Sequence, residues 1–462
     1  MSTTTGLAFN LSHRAEASPT MHLFAPAAPA GSPFCQSTRR QFSATVWLVA
    51  MSVLLVGAAI EGSPATAADV WPQFRGPSGD GVAPENSVPL NWDPETNIRW
   101  RTELPGEGWS SPVIGGGIVY LSAAIHRGSD ADGDYDLALI LVDQESGEIR
   151  RVSSLIQQDS KSSPAIHKKN SHASPTPVLS GDHVYVHFGH QGTVCTDRQG
   201  NLRWVDREHS FNPVHGNGGS PVLVDGRLVF TCDGGDEAYV LALDAATGQE
   251  VWRSPRPVDA KQKFSFATPT VIESDSGPLV VAPGSDCVTA IDPAKGDIRW
   301  WARYSGYSVV PKPVVSGEHV LIATGYGSTK LLAFRTGGSG DVTDTHLDWE
   351  VDRGVPKTPS VLVHEGLVYL VSDEGLALCV DGASGEVVWR GRLGGNYSAS
   401  PVLVGDRIYI SSEQGVTTVM RVGRELEKLA SNDLQEATLA SPAVAHGALF
   451  IRTEKALYRI QE

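Results

Sequence analysis

The sequence predicts an all-β protein, an eight-bladed β-propeller of four-stranded antiparallel blades. Three observations lead there. A unit of four short β runs recurs with its turns at fixed spacing; eight starts of that unit can be counted; and the last unit is one strand short while a spare strand precedes the first.

The clearest unit runs from Ser220-Pro221-Val222-Leu223 through Leu228-Val229-Phe230 and Val240-Leu241-Ala242-Leu243-Asp244 to Thr247-Gly248 and Val251-Trp252. These are four β runs separated by turn signals. Asp and Gly at the third connection suit a tight turn, because Asp bonds nearby backbone and Gly accepts positive φ. The turn recurs at Asp143 to Gly147, Asp292 to Gly296 and Asp381 to Gly385, and one residue shorter at Asp197 to Gly200. A tryptophan follows the glycine by four residues in Gly200 to Trp204, Gly248 to Trp252, Gly296 to Trp300 and Gly385 to Trp389, with Arg151 in that place in the first unit. Unrelated strands have no reason to share such spacing.

Unit starts are marked by Pro112, Pro175, Pro221, Pro269, Pro311, Pro359, Pro401 and Pro442, at intervals of 63, 46, 48, 42, 48, 42 and 41 residues. A period in the forties with four strands per unit is the signature of propeller blades. The last unit offers strands only around Ala443, Leu449-Phe450-Ile451 and Leu457-Tyr458-Arg459-Ile460. Asn97-Ile98-Arg99-Trp100-Arg101 reads as the missing tryptophan-bearing strand, so it is expected to complete the eighth blade and close the ring, which removes open sheet edges.

The Asp-x-x-Thr-Gly-x-x-x-Trp units resemble the tryptophan-docking repeats of pyrroloquinoline-quinone (PQQ) dependent alcohol dehydrogenases and of BamB-like propellers. The opening Val70-Trp71-Pro72-Gln73-Phe74-Arg75-Gly76-Pro77, followed by Gly108-Trp109-Ser110-Ser111-Pro112, resembles a set of exported PQQ-like repeat proteins of planctomycete-type bacteria. The resemblance covers roughly residues 70–462. It implies that Trp100, Trp204, Trp252, Trp300, Trp349 and Trp389 pack between neighbouring blades as structural residues. It is a scaffold signature and does not by itself assign an activity.

Composition agrees with a turn-rich β protein: 48 Gly, 29 Pro and only 19% charged residues in 462. A net charge of −15 repels phosphate backbones, so no nucleic-acid partner is expected. Cys35, Cys195, Cys232, Cys287 and Cys379 are scattered, which gives no support to a zinc site or a thioredoxin-like pair. Arg39 and Arg40 precede an apolar run from Ala44 to Ile60 and a small-x-small Ala65-Thr66-Ala67, the layout of a secretory signal. Residues 1–68 are therefore expected to be a leader with a signal peptide, and 69–462 the propeller, exported to the periplasm or secreted. An uncleaved membrane anchor over residues 44–60 is the alternative.

No catalytic or metal-binding residues are predicted. The resemblance to quinoprotein dehydrogenases would imply PQQ, a calcium ion and a base, but no adjacent cysteines and no local ligand motif are found. Asp130, Asp132, Asp134 and Asp136 alternate in an acidic loop that misses the EF-hand template and reads as a solvated insertion. His183 and His187 share a strand face and read as wet strand histidines. The segments before each first strand are expected to reach one mouth of the axial channel. They supply a mixed aromatic and polar ring of Trp109, Lys169, Asn170, His172, His215, Asn217, Phe266, Lys357, Asn396 and Tyr397. The reading favours a non-enzymatic scaffold binding an envelope protein or small ligand there, with a PQQ-dependent alcohol dehydrogenase-like oxidoreductase as the alternative.

Overall fold

The computed structural model describes residues 70–128, 133–161, 163, 165–275 and 277–462. The leader, Cys35, Asp130 and Asp132 lie outside the described residues. The described residues form eight sheets of four antiparallel strands each, one of which gains a short fifth strand, Gly340–Asp341, paired parallel to its outer strand. The first blade comprises Val113–Gly115, Ile118–His126, Tyr135–Asp143 and Ile149–Gln158. The eighth comprises Ala443–Ala445, Ala448–Arg452 and Ala456–Ile460, and its outer strand is Ile98–Glu103 from the other end of the chain. Trp100 pairs with Arg459 and Glu103 with Ala456, so the expected closure of the ring is observed.

Both faces of each blade are covered by neighbours, so the two middle strands are largely buried and mostly apolar. Leu279–Gly284 and Cys287–Ile291 are buried at every residue. Outer strands have one face toward solvent and alternate, as in Ile98–Glu103 and Glu250–Pro255. In every blade the ladder between the third and the outer strand shifts register near the start of the outer strand, and in the first blade it shifts a second time further along. A bulge there adds a residue and twist, and the docking residue follows it: a tryptophan in six blades, Arg151 in the first and Ala430 in the seventh.

The docking role of the tryptophans is explicit. The indole Nε1 of Trp100, Trp204, Trp252, Trp300 and Trp389 donates to the backbone oxygen of Gln144, Ala245, Pro293, Thr336 and Gly423 in the next blade, at 2.8–3.1 Å. Trp349 is buried in the same position, but its Nε1 has no partner among the described residues. Arg151, which replaces tryptophan in the first blade, docks with Nη1 on Gln199 O (3.0 Å) and Asn201 Oδ1 (2.7 Å). The seam between the eighth and first blades is stapled at both ends. Arg452, 1% exposed, donates to Ser110 Oγ (2.7 Å) and Ser122 O (2.9 Å). Arg459 donates to Gln144 O (2.8 Å) and Glu145 Oε2 (2.6 Å). Burial holds the Arg452 guanidinium down at about 9.

Cys195, Cys232, Cys287 and Cys379 are buried in the strands as free thiols, and burial raises the pKa of each. His187 is not on a wet face. It is 3% exposed, lies 4.3 Å from the Phe230 ring and bonds Thr193 Oγ1 at 2.9 Å. In the acidic loop, Asp134 accepts the Ser160 N–H and Asp136 lies 3.5 Å from Arg127.

Candidate ligand site in the axial channel

Each blade's first strand runs along the channel, and the residue two places before that strand faces it. In seven blades this residue is Ser111, Thr176, Ser220, Thr268, Ser360, Ser400 or Ser441; in the fifth blade it is Lys312. The seven hydroxyl residues are all buried and all line one axial cavity. They form an inter-blade belt. The N–H of Ser111 donates to Thr176 Oγ1, that of Thr176 to Ser220 Oγ and that of Ser220 to Thr268 Oγ1, at 2.9–3.0 Å. The series resumes from Lys312 N–H to Ser360 Oγ, Ser360 to Ser400 and Ser400 to Ser441, at 2.8–3.0 Å. Each hydroxyl that accepts from backbone keeps its own proton to donate, and no protein acceptor for these protons is found among the described residues.

One end of the channel is crossed by the segment before the ring-closing strand. Trp71 exchanges two backbone bonds with Ile114 in the first blade, and Pro72 O accepts from Leu179 in the second. Arg75 then reaches Val361 O in the sixth blade at 2.7 Å, and Gly81 and Ala83 pair with Leu403 in the seventh. Ile114, Leu179 and Leu403 each lie three residues beyond the belt residue of their blade. The strap therefore passes below the belt by roughly 10 Å of strand. Its Phe74 forms part of the cavity lining.

The other end is the mouth predicted from sequence. An aromatic arc follows it: His167, His215, Phe264, Tyr307 and Tyr326, with successive ring centroids 5.1–6.4 Å apart. Residues 165–172 precede the second blade and reach sideways. The His167 N–H and Asn170 Nδ2 both donate to His215 O, at 3.1 and 2.9 Å. Lys169 spans to the seventh blade, where its Nζ meets Glu413 Oε1 at 2.6 Å; that oxygen also accepts from Ser398 Oγ at 2.7 Å. Burial, and then His167, lower the pKa of His215.

Between strap and mouth lies a cavity of about 350 Å³. Of the ten residues predicted for the ring, Trp109, Lys169, Asn170, His215 and Phe266 line it. Two sit at the rim. Lys357 Nζ stands 5.6 Å over the Tyr326 ring, and the exposed Asn396 accepts the Glu413 N–H on its backbone oxygen. Three turn into the protein instead. Tyr397, 1% exposed, packs with Val371, Ala377 and Ile410. Asn217 is pressed on Gly189 and bonds His190 Nδ1 at 3.1 Å. His172 lies against the Tyr135 ring and Gln158 Nε2, where burial and then His190 lower it to about 4. These three neighbour channel residues in sequence, but their side chains point the opposite way. Sequence reasoning missed Phe74, Tyr326, Glu413 and the belt. The belt's only signal was a hydroxyl residue beside the start-marking prolines.

A closed ring of tryptophan-docked blades around one axial cavity defines a PQQ-repeat propeller. The family model described as "Outer membrane protein assembly factor BamB" matches residues 90–234 and 236–462, and the chain belongs to this family. It is 26% identical over 157 residues to the outer membrane protein assembly factor BamB of Kangiella koreensis (34% of this chain, 36% of that protein). It is 25% identical over 218 residues to that of Shewanella oneidensis (43% and 54%). The chain thus spans about a third to a half of the length of these curated relatives. In structure it resembles BamB from Moraxella catarrhalis, with TM-score 0.53 and 15% identity over 79% of this chain and 99% of that one. It also resembles the quinohemoprotein alcohol dehydrogenase of Comamonas testosteroni, with TM-score 0.62 and 12% identity over 86% and 81%. At such identities the likeness concerns the fold alone.

Proposed function

We propose that this chain is a non-enzymatic binding propeller of the cell envelope, periplasmic or secreted, that takes a small ligand into its axial cavity. The observation that carries the reading is the enclosure itself. A cavity of about 350 Å³, floored by Phe74, walled in part by Trp109, Phe266, Tyr307 and Tyr326 and ringed by the hydroxyl belt, has the size of a ligand site and sets aromatic surface beside convergent polar groups. Envelope residence draws support from the signal-like layout around Ala44 to Ile60 and from the name of the curated relatives, outer membrane protein assembly factor. That name also supports a second use of the scaffold, docking of an envelope protein.

Quinone-dependent alcohol oxidation fits the site poorly. A calcium ion needs several oxygen ligands, usually carboxylates, and the alcohol proton needs a base. None of the residues lining the cavity is Asp or Glu. Glu413 at the mouth is already engaged by Lys169 and Ser398. Among the described residues no three His, Cys, Asp or Glu side chains form a metal-holding group.

The test is native mass spectrometry of the purified protein, alone and with PQQ plus Ca²⁺, beside a Trp109→Ala/Phe266→Ala variant. The expected result is a small-molecule adduct lost in the variant at unchanged melting temperature, with no dye-linked alcohol oxidation. Alcohol oxidation dependent on quinone and calcium would overturn the proposal.

A further inference from the structure

The cavity's chemistry narrows what it takes. The chain carries 52 acidic residues and a net charge of −15, yet no carboxylate lines the cavity. Seven buried belt hydroxyls face the same space. Each of the six that accept a backbone N–H keeps one proton for a guest in the cavity, and no carboxylate of the lining competes for it. The Ser111 hydroxyl, which takes no inter-blade bond among the described residues, also has its proton available. Lys169 supplies the lining's lysine cation, and its Nζ is capped by Glu413 Oε1, which also takes the Ser398 proton. Glu413 is thus a carboxylate from across the mouth, holding a cation and a hydroxyl that both belong to the cavity wall. A lysine and several hydroxyl protons around an aromatic-walled space, with no carboxylate in the lining itself, favour a negatively charged guest, since hydrogen bonds to an ionised acceptor are roughly twice as strong as neutral ones.

We propose that the cavity selects an organic anion with an apolar or aromatic body, whose anionic group displaces Glu413 from Lys169 and Ser398 while the body stacks on Trp109 and Phe266. Glu413 then acts as an internal competitor that keeps the cation paired when the cavity is empty. This inference rests on the ligand-binding reading of the axial cavity.

Isothermal titration of the purified full chain with 2-naphthoate and its neutral isostere 2-naphthamide tests it. Naphthoate should bind about tenfold more tightly than naphthamide. Glu413→Gln should tighten naphthoate up to about fivefold, the scale of an exposed ion pair, without changing naphthamide. Lys169→Met should erase the preference for the anion. Ser111→Ala should weaken naphthoate several-fold at unchanged melting temperature. Equal affinity for the two compounds, or a Glu413→Gln variant that binds naphthoate no better, overturns the anion selectivity and leaves the cavity reading standing. No binding of either compound by any variant overturns both.

Discussion

The glycine of the inter-strand turn does two jobs, and its substitution separates them. Gly296 has φ +80°, and a Cβ placed on it would stand 2.8 Å from Cγ and Cδ2 of Trp252, the docking ring of the preceding blade. Gly226 has nearly the same backbone, φ +73°, but a Cβ there would meet nothing within 4 Å. Alanine in left-handed backbone costs about 1–2 kcal/mol, reduced by about 0.4–1 kcal/mol because the unfolded chain also loses freedom. Gly226→Ala should therefore cost on the order of 0.5–1.5 kcal/mol. Gly296→Ala carries the same strain plus the penalty for forcing an atom into a packed site, about 1–3 kcal/mol. It should thus cost about 2–4 kcal/mol. In a Trp252→Leu background the ring is gone, and the cost of Gly296→Ala should fall to that of Gly226→Ala, a coupling of about 1–3 kcal/mol. Urea unfolding followed by circular dichroism reads all four variants as midpoint shifts at constant slope. If Gly296→Ala costs no more than Gly226→Ala, or costs the same with and without the ring, the turn glycine is needed for its φ alone and the docking account of the repeat fails.

Two further predictions concern buried charge. Arg452→Met keeps volume at the ring seam but strips the donor from Ser110 and Ser122, so it should destabilise by about 1–3 kcal/mol; an unchanged urea midpoint would refute the staple. Burial, and then His190, hold His187 at about 3 against an ordinary 6.5. Between those values the unfolded chain takes up a proton there and the native chain does not, so stability is whole above about pH 6.5 and is lost as the pH falls. At pH 5 the loss from this group is about 2 kcal/mol, and His187→Asn should remove about that much of the measured decline between pH 7 and 5.

What the sequence made legible was whatever repeats. Trp204, Trp252, Trp300 and Trp389 recur at one spacing from a turn glycine because every blade docks on its neighbour by the same contact, and repetition turns a weak local signal into a firm one. The closure by Ile98–Glu103 was legible for the same reason: a missing fourth strand is visible only against units that have it. The mouth was legible by position but not by side-chain direction. Trp109, Lys169, Asn170, His215 and Phe266 face the cavity, whereas Tyr397 beside the exposed Asn396, and Asn217 two residues from His215, face inward. Loop backbone has no period from which to read that alternation. Lys169 and Glu413 stand 244 positions apart, and only ring geometry brings them together.

The least legible element is the strap, and the belt residue that breaks the pattern gives a physical reason for its course. Eight similar blades offer a non-repeating segment no preferred direction in which to cross the channel. The fifth blade's belt residue is Lys312, whose Nζ would stand 2.8 Å from a Cβ placed on Gly79 of the strap. A hydroxymethyl is too short to leave the belt; four methylenes carry the amine past it. There the amine shares a buried site with Arg75, and burial first, then Arg75, against the pull of Asp80, lower it to about 7. Two cations crowded out of water are costly unless something opposes them. Asp80, carried by the strap itself, and the carbonyl of Val361, met where the strap crosses to the sixth blade, are what opposes them. The exception in the belt and the path of the strap thus account for each other, and the strap's crossing is what gives the cavity its floor.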